Sequence, residues 1–393
     1  MLKRSGWRWA TTLVALGTLA ATTLGAAAQG TMTLNGAGAT FPYPLYSKAF
    51  SAETSELFRQ RWGWEFERAP ALRRFANLVA ERDHRLVAHV GRLSVRLAVG
   101  DALVPAVFLS DVMADQGRAG LSILQLVKKC LDEVPVVLHF GGQPGAGKQI
   151  YERLGMRTVA IGEILLRVER PAGPLAALAH RRLGPRRRRF APRWLFAAAG
   201  ALLAPACAVR YRWGAKLPTA EYVVAPVSDF DGRFDDLWTA MRARCPVMCA
   251  RDRAFLQWRY REAPAGTYLV LALTRADGSI AAASVLTEAA EGPARLGKLM
   301  ECLYTDDDAL AAMINASIAA FRAMGVDMIM SAGLSQRARE LLRAVGFRPY
   351  RQRSFMLKSS LGPATEALLQ DPSCWYISSG DGDEDFERNV DAI

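Results

Sequence analysis

Residues 106–127 read AVFLSDVMADQGRAGLSILQLV, and this stretch decides the fold. The run from Ala106 to Met113 is apolar enough for a buried strand. The segment from Ala114 to Gly120 carries the glycines of a tight turn, and apolar residues then recur at helical spacing. A turn that leads from a strand into a helix presents unpaired backbone N–H groups, a geometry that binds phosphate or pyrophosphate. The stretch therefore predicts a phosphate-binding strand–turn–helix unit.

The turn within this stretch resembles the Q/R-x-x-G/A-x-G/A signature of the GNAT family of N-acetyltransferases. Gln116, Ala119 and Leu121 take the three signature positions, although Leu121 is larger than the family's small residue. A register that uses Arg118 and Gly120 is the alternative. The resemblance implies that these backbone amides hold the pyrophosphate of acetyl-coenzyme A. It implies the following cofactor-binding residues: Val112, Met113, Gln116, Gly117, Arg118, Ala119, Gly120, Leu121 and Ser122.

The elements around this turn follow the order of the GNAT core. Two apolar runs, 75–81 and 86–97, are joined by a short polar turn and predict a β-hairpin. After the turn, the pattern predicts a helix over 121–131, a strand over 134–140 and a helix over 145–154. A further strand, or a pair of strands, is predicted over 156–168.

The second half repeats this outline. A hairpin is predicted around Ala276-Asp277-Gly278, and single strands over 297–304, 326–331 and 348–357. The turn Thr305-Asp306-Asp307-Asp308 carries three carboxylates that would repel a pyrophosphate, so the second copy is predicted not to hold coenzyme A. We predict an α/β fold of two tandem GNAT-like mixed-sheet units joined by a basic and apolar linker.

The predicted boundaries divide the chain into six segments. They are a signal-peptide-like leader (1–30), a phosphate-binding-protein-like fragment (31–50), a GNAT-like acetyltransferase unit (51–170), a linker (171–220), a second, degenerate GNAT-like unit (221–360) and an acidic tail (361–393).

The N-terminus and the rest of the chain predict different cellular compartments. Basic residues precede an apolar stretch and an Ala-x-Ala site, the parts of a secretory signal. Residues 35–46, NGAGATFPYPLY, resemble the N-terminus of periplasmic phosphate-binding proteins of ABC transporters, which implies phosphate contacts at Thr40 and Phe41. Acetyl-coenzyme A is cytoplasmic, however, and six scattered cysteines fit a reducing compartment. We therefore expect a cytoplasmic body, with residues 31–50 making few contacts beyond residue 70.

The GNAT resemblance also implies a mechanism, direct acetyl transfer from acetyl-coenzyme A to a small-molecule or peptide amine. A backbone N–H near Val112 or Met113 would polarise the thioester carbonyl. Tyr151 occupies the family's position for the acid that protonates the leaving thiolate, with an aromatic packing role as the alternative. Glu81 and Asp111 are the candidate bases. No metal is expected, because Cys245 and Cys249 lack a second ligand pair.

Three alternatives remain open. Residues 142–149, GQPGAGKQ, nearly spell a phosphate-binding P-loop, but Gln149 stands where Mg²⁺ binding needs Ser or Thr. A phosphate-binding protein rests on the leader alone, and a non-catalytic scaffold would need both units to be degenerate. The net charge of +12, much of it in the basic run at 180–189, suits anionic partners, but no nucleic-acid-binding fold surrounds that run. A peripheral membrane contact through 186–210 competes with a packed linker helix.

Overall fold

The computed structural model describes residues 33–37, 52–70, 75–115, 121–141, 146–159, 163–176, 198–202, 222–264, 266–291, 294–352 and 354–382. They divide into two compact units. Unit 1 comprises Met1–Leu97, Ala102–Gly162 and Arg353–Gln370, and unit 2 comprises Ala98–Asp101, Glu163–Gln352 and Asp371–Ile393. Each unit contains a mixed β-sheet with helices, so the predicted α/β class with two mixed sheets is confirmed.

Besides short helical segments at 172–176 and 198–202, the described part of residues 1–202 supplies seven strands and three helices. In chain order they are β1 (Thr33–Ala37), α1 (Ala52–Trp62), β2 (Asn77–Arg82), β3 (Arg85–Val99), β4 (Ala102–Ala114), α2 (Ser122–Glu133), β5 (Val136–Gly141), α3 (Ala146–Arg153), β6 (Arg157–Val159) and β7 (Glu163–Val168). A π-helical turn, Gly63–Glu67, continues α1.

The second half of the chain supplies the remaining elements. In chain order they are β8 (Val223–Pro226), α4 (Arg233–Arg244), β9 (Val247–Cys249), α5 (Arg253–Tyr260), β10 (Tyr268–Thr274), β11 (Ile280–Glu291), β12 (Ala294–Tyr304), α6 (Asp307–Met324), β13 (Met328–Ala332), α7 (Gln336–Ala344), β14 (Arg348–Gln352), β15 (Ser354–Ser359), α8 (Pro363–Gln370) and β16 (Trp375–Tyr376).

Local sequence explains why the first unit folds around its hairpin. Asp83 and His84 both have positive φ, 51° and 56°, which is the two-residue turn that matches the twist of antiparallel strands. On one face of the sheet, α2 buries Leu126, Val127 and Cys130 against sheet residues of the unit 1 core. This packing fixes the direction in which β4 runs into α2.

The two sheets exchange their last strands. In unit 1 the strand order is β1-β2-β3-β4-β5-β15-β6, and in unit 2 it is β14-β7-β13-β12-β11-β10-β8. Strand β15 pairs antiparallel with β5, and β7 pairs antiparallel with β13. Each sheet is thus completed by a strand from the other half of the chain. The prediction of one strand over 348–357 is wrong, because β14 and β15 belong to different sheets.

The N-terminal segment takes part in the first sheet. Strand β1 pairs antiparallel with β2, in a register from Thr33↔Glu81 to Ala37↔Asn77. The expectation of few contacts between residues 31–50 and the chain beyond residue 70 is therefore wrong. The physical reason is that β2 would otherwise present an unpaired sheet edge. Thr40 and Phe41 lie outside the described residues.

The described residues also bear on membrane spans, metal sites and the state of the cysteines. Within the described ranges, no helix is long and apolar enough to cross a bilayer, and no three His, Cys, Asp or Glu side chains form a group that could hold a metal. Cys130, Cys245, Cys249 and Cys302 are buried free thiols, and Cys374 is a half-buried one.

Candidate functional site

The parallel strands β4 and β5 separate before either strand ends. Their ladder joins Ala106, Val107 and Phe108 to residues 136–138, and it stops there. Strand β4 nevertheless continues to Ala114 and β5 to Gly141. Beyond Phe108 the two strands continue without ladder pairing, and this stretch is called the gap. Within it, Nδ1 of His139 on β5 contacts the carbonyl oxygen of Leu109 at 3.4 Å. Backbone groups left unpaired in this way can bind an extended ligand.

A backbone irregularity in β4 at Asp111, called the bulge, lies beside this gap. Asp111 has φ of 44°, in the left-handed region that residues other than glycine seldom adopt. The side chain of His89, from β3, contacts the Asp111 carbonyl oxygen through Nδ1 at 2.9 Å. Because a carbonyl only accepts, Nδ1 carries the proton, and Nε2 is left as the acceptor of a neutral ring. Burial lowers the pKa of His89 despite the opposing Asp111 charge, which keeps the ring neutral.

A buried ion cluster surrounds the bulge. Arg61 Nε donates to Glu65 Oε2 at 3.1 Å, and Ser110 Oγ donates to Glu65 Oε1 at 3.1 Å. Arg61 Nη2 also lies 3.7 Å from Asp111 Oδ1. The side chain of Asp111 is 13% exposed, against 6% for Arg61 and 4% for Glu65. Asp111 is therefore the carboxylate of this cluster that a substrate can reach most readily.

A glycine permits the cluster to form. A Cβ atom at Gly91, on β3, would lie 2.7 Å from both the Phe66 ring and the Ser110 carbonyl oxygen. Only glycine lets the π-helical turn approach the strands closely enough for Glu65 to meet Ser110. The turn therefore positions the cluster, in keeping with the frequent location of π-helical turns at functional sites.

The structure places the three predicted catalytic residues in three different environments. Asp111 belongs to the cluster at the bulge. Glu81 instead lies on the β2 end, where its Oε1 is 3.7 Å from Nδ1 of the exposed His84. Tyr151 is buried in the unit 1 core, with its ring centroid 4.5 Å from that of His139. Burial raises the pKa of Tyr151, so its hydroxyl stays protonated.

The predicted cofactor-binding residues lie at the open end of β4. Val112 and Met113 follow the bulge directly, and residues 116–120, Gln116 to Gly120, lie outside the described residues. Leu121 precedes α2 and has no side-chain oxygen to cap it, so the first N–H groups of the helix lack that partner. Leu121 is 63% exposed and Ser122 is buried. This end of the helix can therefore accept an anion.

The P-loop alternative has little support from its described part. Residues 142–145 lie outside the described residues, and Lys148 on α3 sits 3.5 Å from Glu152 on the same helix. An exposed pair one helical turn apart is an ordinary surface contact.

Unit 2 closes the corresponding gap with its own chain. Strands β12 and β13 pair only as far as Leu299↔Ser331, while β12 runs on to Tyr304. Beyond that point the backbone N–H of Cys302 donates to Tyr376 Oη at 3.0 Å, and Tyr376 Oη donates to Glu301 Oε2 at 2.6 Å. A tyrosine from the C-terminal segment thus binds the edge of β12 beyond the end of its ladder with β13.

The helix that follows β12 is also closed to an anion. The Asp306 carboxylate accepts from the N–H of Ala309 at 2.8 Å and caps α6. A carboxylate at this position competes with any phosphate for the same donors. The acidic turn and Tyr376 together leave the gap of unit 1, and not that of unit 2, as the candidate functional site.

Sequence reasoning missed three members of the unit 1 cluster, Arg61, Glu65 and His89. His89 lies in the predicted strand run 86–97 and belongs to no motif of its own. A signal for the other two existed, because Arg61 and Glu65 stand four residues apart among Trp62, Trp64 and Phe66. An opposite-charge pair within an aromatic helical stretch indicates a buried ion pair.

Comparisons with known proteins place the fold. No family model and no curated protein sequence matches the chain. Solved structures do match. A GCN5-related N-acetyltransferase from Anabaena variabilis superposes with a TM-score of 0.54 at 12% identity, covering 84% of this chain and 72% of that one. A probable N-acyltransferase from Enterococcus faecalis gives 0.54 at 11% identity, covering 84% and 73%.

A third solved structure also matches the chain. It is the N-myristoyltransferase of Saccharomyces cerevisiae with bound myristoyl-CoA, which matches with a TM-score of 0.52 at 12% identity, over 86% of this chain and 87% of that one. At these identities the likeness concerns the fold. The chain has a GNAT-like mixed α/β fold, as its sequence predicted.

Proposed function

We propose that the protein is an acyl-CoA-dependent N-acyltransferase whose donor site is the gap between β4 and β5 of unit 1. The observation that carries this proposal is the early end of the β4–β5 ladder at Phe108, followed by the bulge at Asp111. The GNAT-type fold supports it, since the solved neighbours include N-acetyl- and N-myristoyltransferases.

The gap suits an acyl-CoA donor. The pantetheine arm of coenzyme A is extended and carries amide groups, which can pair with the free edge of β4 as an added strand would. The pyrophosphate would lie at the N-terminus of α2, where helix N–H groups attract anions. Bound acyl-CoA supplies the thioester that the acceptor amine attacks.

The residues around the bulge would carry out the proton transfers. We assign Asp111 as the base that takes the proton of the acceptor amine, because its carboxylate is partly exposed beside the gap. Arg61 and His89 are positioning residues, which hold its side chain and its carbonyl. A backbone N–H at Val112 or Met113 would stabilise the oxyanion. Tyr151, protonated and buried, remains the proposed proton donor to the leaving thiolate.

The remaining assignments are part of the same proposal. The acceptor is a small-molecule or peptide amine, and the acyl group is acetyl. The body of the protein is placed in the cytoplasm, because that is where acyl-CoA donors are found. A peripheral membrane contact through 186–210 is kept as a secondary proposal.

The proposal predicts how added negative charge affects donor binding. In the full chain, Ala119→Asp and Gly120→Asp each bring a carboxylate to the expected pyrophosphate site. Repulsion and added bulk should weaken acetyl-CoA binding by at least about tenfold, the equivalent of about 1.4 kcal/mol. Isothermal titration calorimetry measures this directly. Ala102→Asp, the same change at the exposed opposite end of β4, is the matched control and should bind as the wild type does.

Further titrations separate the alternatives. Longer acyl-CoA donors test the length of the acyl group, and ATP with Mg²⁺ tests the P-loop alternative. Acetyl-CoA affinity that is unchanged in both Asp variants would remove the donor-site assignment. Saturable ATP binding without acyl-CoA binding would favour the nucleotide enzyme instead.

A further inference from the structure

Unit 2 contains a cavity that the proposed acyltransferase reaction does not use. Its volume is about 300 Å³, at the lower end of the range for small-ligand sites. The residues that line it include Arg244, Cys245, Tyr304, Ser335, Gln336 and Arg337. Two arginines line the cavity, and none of its lining residues is acidic.

The two arginines are held in place by one carboxylate outside the lining. Asp307 pairs with Arg244 through Oδ1 and with Arg337 Nε through Oδ2, the latter at 2.7 Å. The Arg244 guanidinium also lies 5.5 Å from the centroid of the Tyr304 ring. Both guanidiniums are therefore oriented before any ligand arrives, which lowers the entropic cost of binding.

Several donors at these arginines remain available. Arg337 contacts carboxylates through Nε and, at 3.4 Å to Glu340, through Nη1, and no described residue accepts from its Nη2. Among the described residues, Arg244 contacts Asp307 through Nη2, and none accepts from its Nε or Nη1. Guanidinium groups with free N–H donors favour oxyanions, and phosphate above all.

The start of helix α7 adds further donors to the cavity. Helix α7 begins here, and its cap Ser335 accepts from the N–H of Ala338 at 3.1 Å. The N–H groups of Gln336 and Arg337, which also line the cavity, have no intrahelical partner at this helix start. Ser335 Oγ and Tyr304 Oη lie 2.7 Å apart, so their shared hydroxyl protons can reorient toward an anion.

We propose that this cavity binds the phosphate group of a small phosphorylated ligand. The free guanidinium and backbone donors outnumber what a two-oxygen carboxylate can accept, and they suit a three-oxygen phosphate dianion. The proposal is independent of the donor site in unit 1. It rests on the cavity and its two oriented arginines.

The test uses the full chain and inorganic phosphate as the probe, in isothermal titration calorimetry. Wild-type protein should bind phosphate saturably, and Arg244→Gln and Arg337→Gln should each weaken binding by at least about tenfold. Arg295→Gln is the matched control, because Arg295 is similarly exposed and also paired to a carboxylate, Glu288. It should leave phosphate affinity unchanged.

Two further measurements keep the test decisive. Tyr304→Phe removes one hydroxyl without changing the ring and should lower phosphate affinity severalfold, while acetyl-CoA affinity at unit 1 stays at the wild-type value. Absence of saturable phosphate binding, or equal affinity in both cavity-arginine variants and the control, would overturn the proposal. Saturable binding of acetate in preference to phosphate would also overturn it.

Discussion

Asp111→Asn should lower kcat/KM for acyl transfer by about 10²–10⁴-fold, because it removes the proposed base while leaving the bulge intact. Asparagine is among the few residues that tolerate the left-handed backbone, so the φ of 44° at this position can be kept. Steady-state kinetics with acetyl-CoA and an amine acceptor measure the loss. Acetyl-CoA affinity, measured by calorimetry, should stay within about twofold of the wild type.

Glu81→Gln is the matched control for this experiment. Glu81 was the other base expected from the sequence, and it lies beside the exposed His84 at the hairpin. Its substitution should leave kcat/KM unchanged. A large loss in Glu81→Gln together with normal activity in Asp111→Asn would reverse the assignment of the base.

Arg251→Met should lower the free energy of unfolding by about 3–5 kcal/mol, the cost of leaving buried carboxylates without their cation. Arg251 is fully buried, and its Nε donates to Glu301 Oε1 at 2.8 Å. Its Nη2 lies 2.6 Å from Asp381 Oδ2. Burial opposes the charged form, yet Asp381 and Glu301 raise the pKa of Arg251, so the pair of carboxylates depends on it.

Equilibrium urea unfolding measures this effect. Arg295→Gln breaks an exposed pair with Glu288 and should cost less than about 1 kcal/mol. The comparison separates a buried network from a surface ion pair within the same unit. A loss below 1 kcal/mol in Arg251→Met would contradict the view that this network holds the C-terminal segment against unit 2.

The same network holds the C-terminal segment, including Tyr376, against strand β12 of unit 2. Gly380 approaches so closely that a Cβ there would lie 2.3 Å from Glu301 Oε1 and 2.1 Å from Tyr260 Oη. Tyr260 Oη in turn donates to Glu301 Oε1 at 2.8 Å. Residues 375–381 are therefore part of the unit 2 core. Of the region expected to be an acidic tail, 361–393, only residues 383–393 lie outside the described residues.

Much of the fold follows from local patterns. Apolar periodicity predicted the helices at 121–131 and 145–154 close to their observed bounds, since each has one buried face. The strand exchange did not follow, because periodicity does not show which sheet a strand joins. Strand β14 ends at Gln352 and β15 begins at Ser354, so the two strands follow each other too closely for the pattern to separate them.

The candidate site was predicted only in part. The position of Asp111 on the fourth strand was readable because that strand leads into the glycine-bearing turn. Glu65 and His89 come from a helix and a neighbouring strand 46 and 22 residues earlier in the chain, and only the tertiary fold brings them to the bulge. The hydrogen bond between Tyr376 and Glu301 in unit 2 could not be predicted from local patterns either, because it joins residues 75 apart in the chain.

The central claim is that one acyl-CoA binds, in unit 1 and not in unit 2. Hydrogen–deuterium exchange of the full chain with and without acetyl-CoA tests it most directly, because a ligand paired to β4 protects the amides it covers. We predict protection of residues 109–115 and of the start of α2, with no change over 300–308 and 328–335. Protection confined to unit 2, or no protection at saturating acetyl-CoA, would contradict the account.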